Sequence, residues 1–223
     1  MSLGHPRLHH RRIDSTNARA RELAERGAPH GTLVSATEQT AGRGRQGRNW
    51  VGPAGRALLF TLILREVPRL LPLAAGVAVA EEVGARARLK WPNDVLLDER
   101  KVAGILVEAR PQSGWAVVGV GLNVAVREAD LPAELRGRAG GLGRAPADVE
   151  PTLARLLERL ERWLGAPEEA VLTAVAERDA LRGRRVRWQG GEGVAAGVDA
   201  DGRLLVVRDG GQVALHAGEV HLG

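Results

Sequence analysis

Two groups of residues in this sequence have types and spacing that could do chemistry. The chain has 30 Arg but only two Lys, Lys90 and Lys101, and only four Asn: Asn17, Asn49, Asn93 and Asn123. Where any cation serves, this sequence writes Arg, so two retained Lys suggest positions that need a compact ammonium and not a planar fork, with chance survival as the competing reading. Both Lys fall within residues 90–101, with Asn93 and Asp94 between them. The second group is the run from Gly42 to Asn49, in which three Gly and three Arg (Arg43, Arg45, Arg48) alternate before Trp50. Gly lets the backbone approach a ligand closely. Arg supplies a fixed, permanently charged fork for carboxylate or phosphate. The run offers no apolar face to bury and reads as a mobile loop that folds over an anion. A solvated turn or an RNA-binding patch is the competing reading.

Other chemistries lack their residues. With no Cys there is no thiolate nucleophile, disulfide or Cys-based zinc site. No Gly-x4-Gly-Lys-Ser/Thr or Gly-x-Ser-x-Gly motif occurs, and the Gly119/Gly121 pair lacks the third Gly of a dinucleotide fingerprint. The six His are poorly spaced for a metal. What remains suits electrostatic handling of phosphate and carboxylate without a covalent intermediate on the protein. Net charge is only +5, with 32 cationic and 27 acidic residues dispersed along the chain. Aromatics are 3% and Tyr is absent, leaving few platforms on which bases could stack. A basic nucleic-acid-binding module is the alternative from another class. No apolar run reaches the roughly 18 residues of a membrane span. The N-terminus lacks the apolar core of a signal peptide. A cytoplasmic location follows by default.

The elements that must position these groups read as follows. Leu8–Ile13 is a short strand. Asp14-Ser15-Thr16-Asn17 then caps a helix over 18–26 that stops at Gly27. The polar side chains there either cap the helix or face a ligand. Residues 32–37 form a strand leading through Gln39 into the glycine–arginine loop. The apolar run 57–64 is a buried strand, and 68–88 is a long helix. Pro92 interrupts a strand, so Lys90, Asn93 and Asp94 project from its end. A hairpin turn at 98–100 leads to a strand over 101–108, and 115–124 gives the next strand, with Gly119, Gly121 and Asn123 in it. Residues 127–146 read as a surface loop, followed by helices over 150–164 and 167–181. After Gly183, short alternating runs separated by Gly-rich turns indicate a small antiparallel barrel. The expected architecture is α+β in two domains: a mixed sheet flanked by helices over 1–182, and a small SH3-like barrel over 183–223.

Five stretches occur in a telling order: Ser15-Thr16-Asn17; Gly42-Arg43-Gly44-Arg45-Gln46-Gly47-Arg48 with Trp50; Lys90-Trp91-Pro92-Asn93-Asp94; Lys101-Val102-Ala103-Gly104-Ile105-Leu106-Val107-Glu108; and Gly119-Val120-Gly121-Leu122-Asn123. Together they resemble the biotin protein ligases, the biotin–[acetyl-CoA-carboxylase] ligases. The resemblance implies the fold of class II aminoacyl-tRNA synthetases plus a C-terminal SH3-like barrel. It implies ATP-dependent activation of biotin to biotinyl-5′-AMP and transfer to a lysine of a biotin carboxyl carrier domain. The chain starts almost at the catalytic motifs, similar to the monofunctional class, so no DNA-binding role is carried over.

By motif, the resemblance assigns biotin to Ser15, Thr16, Asn17, Gln39, Gly42, Arg43, Gly44, Arg45, Lys101 and Gly104. It assigns ATP to Arg45, Arg48, Trp50, Lys90, Asn93 and Asn123. Lys101, Arg45 and Asp94 would be catalytic, with Asp94 holding Mg²⁺ or receiving the acceptor lysine. A homodimer is expected. A lipoate–protein ligase, which shares fold and chemistry, is the nearest alternative.

Overall fold

The computed structural model describes residues 3–208, 210–216, 218 and 220–222. The first sheet has seven strands: β1 (Arg7–His10), β2 (Leu33–Ala36), β3 (Leu58–Leu64), β4 (Arg88–Lys90), β5 (Asp94–Leu97), β6 (Arg100–Arg110) and β7 (Trp115–Leu122). Their order across the sheet is β1-β2-β3-β7-β6-β5-β4. β1 runs parallel to β2, and the other neighbours are antiparallel, so the sheet is mixed.

β3 explains why the sheet has two different faces. All seven of its residues are buried, hence a run that is apolar at every position but Thr61. Successive side chains of a strand point to opposite faces. Phe60, Leu62 and Leu64 join the main core with α2 (Leu71–Val83) and α3 (Val149–Leu164). Ile63 instead meets Ala20 and Ala24 of α1 (Thr16–Glu25). Thr61, on that same second face, is the one polar residue in the run. The helix α4 (Glu168–Arg178) packs on α2 and contributes Val171 and Val175 to the main core.

The expected helix over 68–88 is shorter than its composition indicates. Gly84, at φ 124°, stops α2 at Val83, and Arg88 already belongs to β4. The first strand ends at His10, three residues before Ile13, which makes only an isolated bridge to Gln39.

α2 also carries a buried carboxylate. The Glu82 side chain is 1% exposed and ion-pairs with Arg144, Arg155 and Arg159. Burial by itself pushes this carboxyl up; hydrogen bonds from Arg155, Arg144 and Arg159 reverse that and hold it below the ordinary range. Arg144 also donates to the Glu82 carbonyl, at 2.9 Å, which pins the end of the 127–146 segment to α2.

The C-terminal part holds β8 (Arg185–Trp188), β9 (Gly191–Val198), β10 (Leu204–Arg208), β11 (Gly211–Leu215) and β12 (His221–Leu222). They form an antiparallel sheet in the order β11-β10-β9-β8-β12. Among the described residues no ladder joins β11 to β12, so the expected barrel is a five-stranded open sheet here. It is tied to the first sheet where the indole Nε1 of Trp91 donates to the Gly202 carbonyl at 3.0 Å.

Candidate active site

The side chains singled out in the sequence converge on one cleft of about 600 Å³. Ser15, Thr16, Asn17, Gln39, Arg43, Gly44, Arg45, Arg48, Trp50, Lys90, Asn93, Asp94, Lys101, Gly104 and Asn123 all line it. Gly42 does not. It lies behind the wall, where a Cβ would stand 2.6 Å from the Trp50 carbonyl oxygen and 3.0 Å from Gln39 Nε2. No side chain fits there, so Gly42 closes the base of the loop through its carbonyl, which accepts from Trp50 N at 2.8 Å.

The closed end of the cleft is built on α1. Ser15 is its N-cap, accepting from Ala18 N at 3.4 Å. Thr16 and Asn17 point onward, and each is at most 5% exposed. Thr16 donates its backbone N–H to Gln39 Oε1 at 2.7 Å. An N–H can only donate, so Oε1 faces Thr16 and the Gln39 amide N–H₂ is turned the other way. Asn17 Nδ2 donates to Glu108 Oε2 at 2.9 Å and lies 3.4 Å from the Leu106 carbonyl. Its Oδ1 accepts from the Thr61 hydroxyl at 2.8 Å.

Strand register makes room for these groups. Thr61, Gly119 and Leu106 lie in one row across β3, β7 and β6. Leu59, Gly121 and Gly104 form the next row on that face. Asn17 fills the notch over Gly119, and the Trp50 ring fills the notch over Gly121 and Gly104. A Cβ on Gly121 would stand 2.4 Å from Trp50 Cε2, and one on Gly104 3.0 Å from Trp50 Cζ3. The glycines are needed for close approach of side chains to the sheet.

Lys101 lies beside this second notch. Its Nζ is 2.6 Å from Asp94 Oδ1 and 5.7 Å from the centre of the Trp50 ring. A Cβ on Gly104 would stand 3.3 Å from Lys101 Cε, so Gly104 leaves room for both side chains. A β-bulge between Val95 and Leu96 adjusts the β5–β6 register at this point. Asn93 donates Nδ2 to the Ile105 carbonyl at 2.9 Å, which braces the turn carrying Asp94. Asn123 gives Nδ2 to the Gly140 carbonyl at 2.8 Å, while its Oδ1 is buried without a protein partner.

The glycine–arginine segment forms a small hairpin. Arg43 bridges Asn49, and Gly44 N donates to the Arg48 carbonyl at 2.7 Å. The turn at Arg45–Gly47 holds Gln46 and Gly47 at φ 54° and 74°. It places Arg43, Arg45 and Arg48 on the cleft rim.

Several cleft groups were not singled out in the sequence. Leu131, Leu135, Gly137, Arg138 and Ala139 form one wall, so 127–146 is a cleft wall as well as a surface loop. Backbone bonds hold it: Lys101 N to the Arg138 carbonyl at 2.9 Å, and Gly140 N to the Lys101 carbonyl at 3.0 Å. His221 and Leu222 reach the cleft from β12. Thr61 and Glu108 stand just behind the closed end; a lone polar residue in the apolar run of β3 was the available signal for Thr61.

An arrangement of hydroxyl and amide groups at a closed end, a Lys–Asp pair midway and arginines at the rim can bind a polar small molecule and neutralise charge on a phosphate. Residues 10–124, more than half of the chain, match the biotin/lipoate A/B protein ligase family, and residues 183–223 match the biotin protein ligase C-terminal domain. The chain is 36% identical to the biotin–[acetyl-CoA-carboxylase] ligase of Mycobacterium tuberculosis, covering 92% of this chain and 85% of that protein. It is 34% identical to the enzyme of the same name from Paracoccus denitrificans, covering 95% of this chain and 98% of that one. Its fold is similar to the biotin protein ligase from Aquifex aeolicus solved in complex with biotin and ATP, with a TM-score of 0.81, 30% identity, and 97% and 98% of the two chains covered. With the family's motifs meeting in one cleft and its two sequence models spanning both sheets, this chain belongs to the biotin/lipoate A/B protein ligase family.

Proposed function

We propose that this protein is an ATP-dependent biotin–protein ligase, and one feature of the cleft carries the choice of biotin. Its closed end offers donors and an acceptor side by side. The Ser15 hydroxyl, already accepting from Ala18 N, keeps its own proton to give, and the Gln39 amide N–H₂ is turned from Thr16. The Thr16 oxygen receives. A cyclic urea, with a carbonyl between two N–H groups, complements that pattern. The dithiolane ring of lipoate has neither group, and a site built for hydrogen bonds rejects a ligand that lacks them.

The chemistry follows from the charges further along the cleft. The biotin carboxylate attacks the α-phosphorus of ATP, forming a mixed anhydride and releasing pyrophosphate. The ε-amine of a carrier-protein lysine then attacks the anhydride carbonyl, and AMP leaves. Lys101 meets the carboxylate and α-phosphate where negative charge gathers. Arg43 and Arg45 close over the adenylate, with Gly44 allowing close approach, and Arg48 meets the outer phosphates. Lys90 and Asn93 stand on the nucleotide side. Trp50 borders the adenine, and the unpaired Oδ1 of Asn123 suits the adenine amino group as an acceptor. Asp94 would either receive the incoming lysine or contribute its carboxylate to Mg²⁺ bound with the triphosphate, which would neutralise phosphate charge. Among the described residues no cluster of three or more acidic or His side chains could hold a metal alone.

The wider setting belongs to the same reading: the biotin carboxyl carrier domain of acetyl-CoA carboxylase as acceptor, a homodimer, a cytoplasmic location, and two units meeting near residue 183. Among the described residues no helix is long and apolar enough to cross a membrane. Pyrophosphate release from ATP on adding biotin tests the core of this. Release with lipoate but not biotin moves the assignment to lipoate; release with neither removes it.

A further inference from the structure

We infer that Thr61 and Glu108, which do not border the cleft, set the direction of the hydrogen bonds at its closed end and so act as positioning residues for the ligand; this rests on the biotin reading above. Four side chains form a line: Thr16, Thr61, Asn17 and Glu108, with contacts of 2.9, 2.8 and 2.9 Å. The line ends on a carboxylate, whose other oxygen accepts from Arg21 Nη1 at 3.0 Å.

A carboxylate accepts and does not donate, so Asn17 turns its N–H₂ toward Glu108 and its Oδ1 toward Thr61. Oδ1 cannot donate, so the single Thr61 proton goes to it. The Thr16 proton then has two recipients inside the floor, the Thr61 oxygen or Gln39 Oε1 at 3.0 Å. Either way the Thr16 oxygen meets the cleft as an acceptor. The direction is imposed from Glu108 outward, through a Thr61 side chain that is 0% exposed. Without Glu108 the Asn17 amide is oriented only by the 3.4 Å approach to the Leu106 carbonyl, and without Thr61 its Oδ1 loses its donor and the Thr16 proton rests on Gln39 Oε1 alone, so the floor holds its acceptor toward a ligand N–H less firmly.

Thr61→Val keeps the shape and removes the relay; Thr61→Ser keeps the hydroxyl. Biotin binding would be measured by calorimetry without ATP, and KM for biotin and for ATP by pyrophosphate exchange. Thr61→Val is expected to weaken biotin binding and raise its KM by about ten- to a hundredfold, with KM for ATP within about twofold. Thr61→Ser should return to within about threefold of the parent. Glu108 is partly exposed, so Glu108→Ala carries the test should Thr61→Val not fold; it should also raise KM for biotin selectively. Because both act through one chain, the double variant should be no more than about threefold worse than the worse single variant. Equal biotin affinity in Thr61→Val, equal losses for biotin and ATP, no recovery with Ser, or fully multiplicative effects would each overturn the inference. A parent that binds no biotin would instead sink the ligase reading itself.

Discussion

A Cβ on Gly119 would stand 1.9 Å from Oδ1 of Asn17. That distance is far inside van der Waals contact, so the amide of a helix N-terminus occupies the space a side chain on the sheet would need. The helix and the central strand are thus fitted to each other at the closed end of the cleft.

Gly119→Ala should therefore abolish the fit. Asn17 must swing away and lose its bonds to Thr61 and Glu108. We expect a stability loss of about 1–3 kcal/mol, as for other overpacking changes. Biotin binding should fall at least about tenfold, a loss of roughly 1.4 kcal/mol. Denaturant unfolding and biotin calorimetry on the same preparation check this; parental affinity would show that Asn17 does not position the ligand.

Lys101→Arg keeps the charge but not the shape. The ammonium fits between Asp94 at 2.6 Å and the Trp50 ring, with Gly104 leaving space beside it. A guanidinium is planar and larger, and cannot take that point position. We expect biotin-dependent ATP–pyrophosphate exchange to fall about 10²–10³-fold, the cost of one lost transition-state contact. A rate within about tenfold of the parent, or roughly 1.4 kcal/mol, would remove Lys101 from its assigned role.

Arg45→Gly tests whether the hairpin retains the intermediate. Arg45 starts the tight turn at the cleft rim. Replacing it removes a fork and loosens the backbone. Losing one charge-assisted contact of about 1.5–3 kcal/mol should raise escape of biotinyl-AMP by roughly ten- to a hundredfold. Incubated with ATP, biotin and albumin but no carrier, the variant should label albumin more than the parent does. Adenylate formation with albumin left as clean as in the parent would mean that the hairpin is not the lid.

Glu82 gives a pH-dependent prediction. Its folded pKa is lowered, so its contribution to stability is present above the unfolded value of about 4.3 and is lost as pH falls through the lowered folded value. Glu82→Gln leaves three guanidiniums facing a neutral group. It should cost about 1–3 kcal/mol at pH 7, because the three arginines left behind are partly exposed and can be hydrated. The gap between parent and variant should shrink as pH drops below about 4. Urea unfolding of both proteins from pH 7 to 3 measures it, and a pH-independent gap would contradict the assignment.

Much of the site was legible in the sequence because its chemistry is local. A cap run before a helix, glycine beside arginine, and a rare Lys beside Asn and Asp each declare themselves within a few residues. The order of strands and helices was legible for the same reason, through short-range periodicity and turn residues. The sequence by itself therefore determined which groups are available: arginine forks beside glycine, two Lys, four Asn and no Cys.

Only the tertiary structure decided how those groups meet. Gly119 and Leu106 pair within the β6–β7 hairpin, but Thr61 joins their row only because β3, distant in the chain, pairs with β7. A slip of one residue in the β3–β7 pairing would turn Thr61 to the other face, and no local signal fixes that register. The wall at 131–139 has no periodicity of its own; it is held by backbone bonds to Lys101 and by Arg144 on Glu82. β12 is two residues long, too short to show any pattern, yet it brings His221 and Leu222 to the cleft. These contacts join residues distant in sequence, and they exist only once the core has closed and fixed the distance between them.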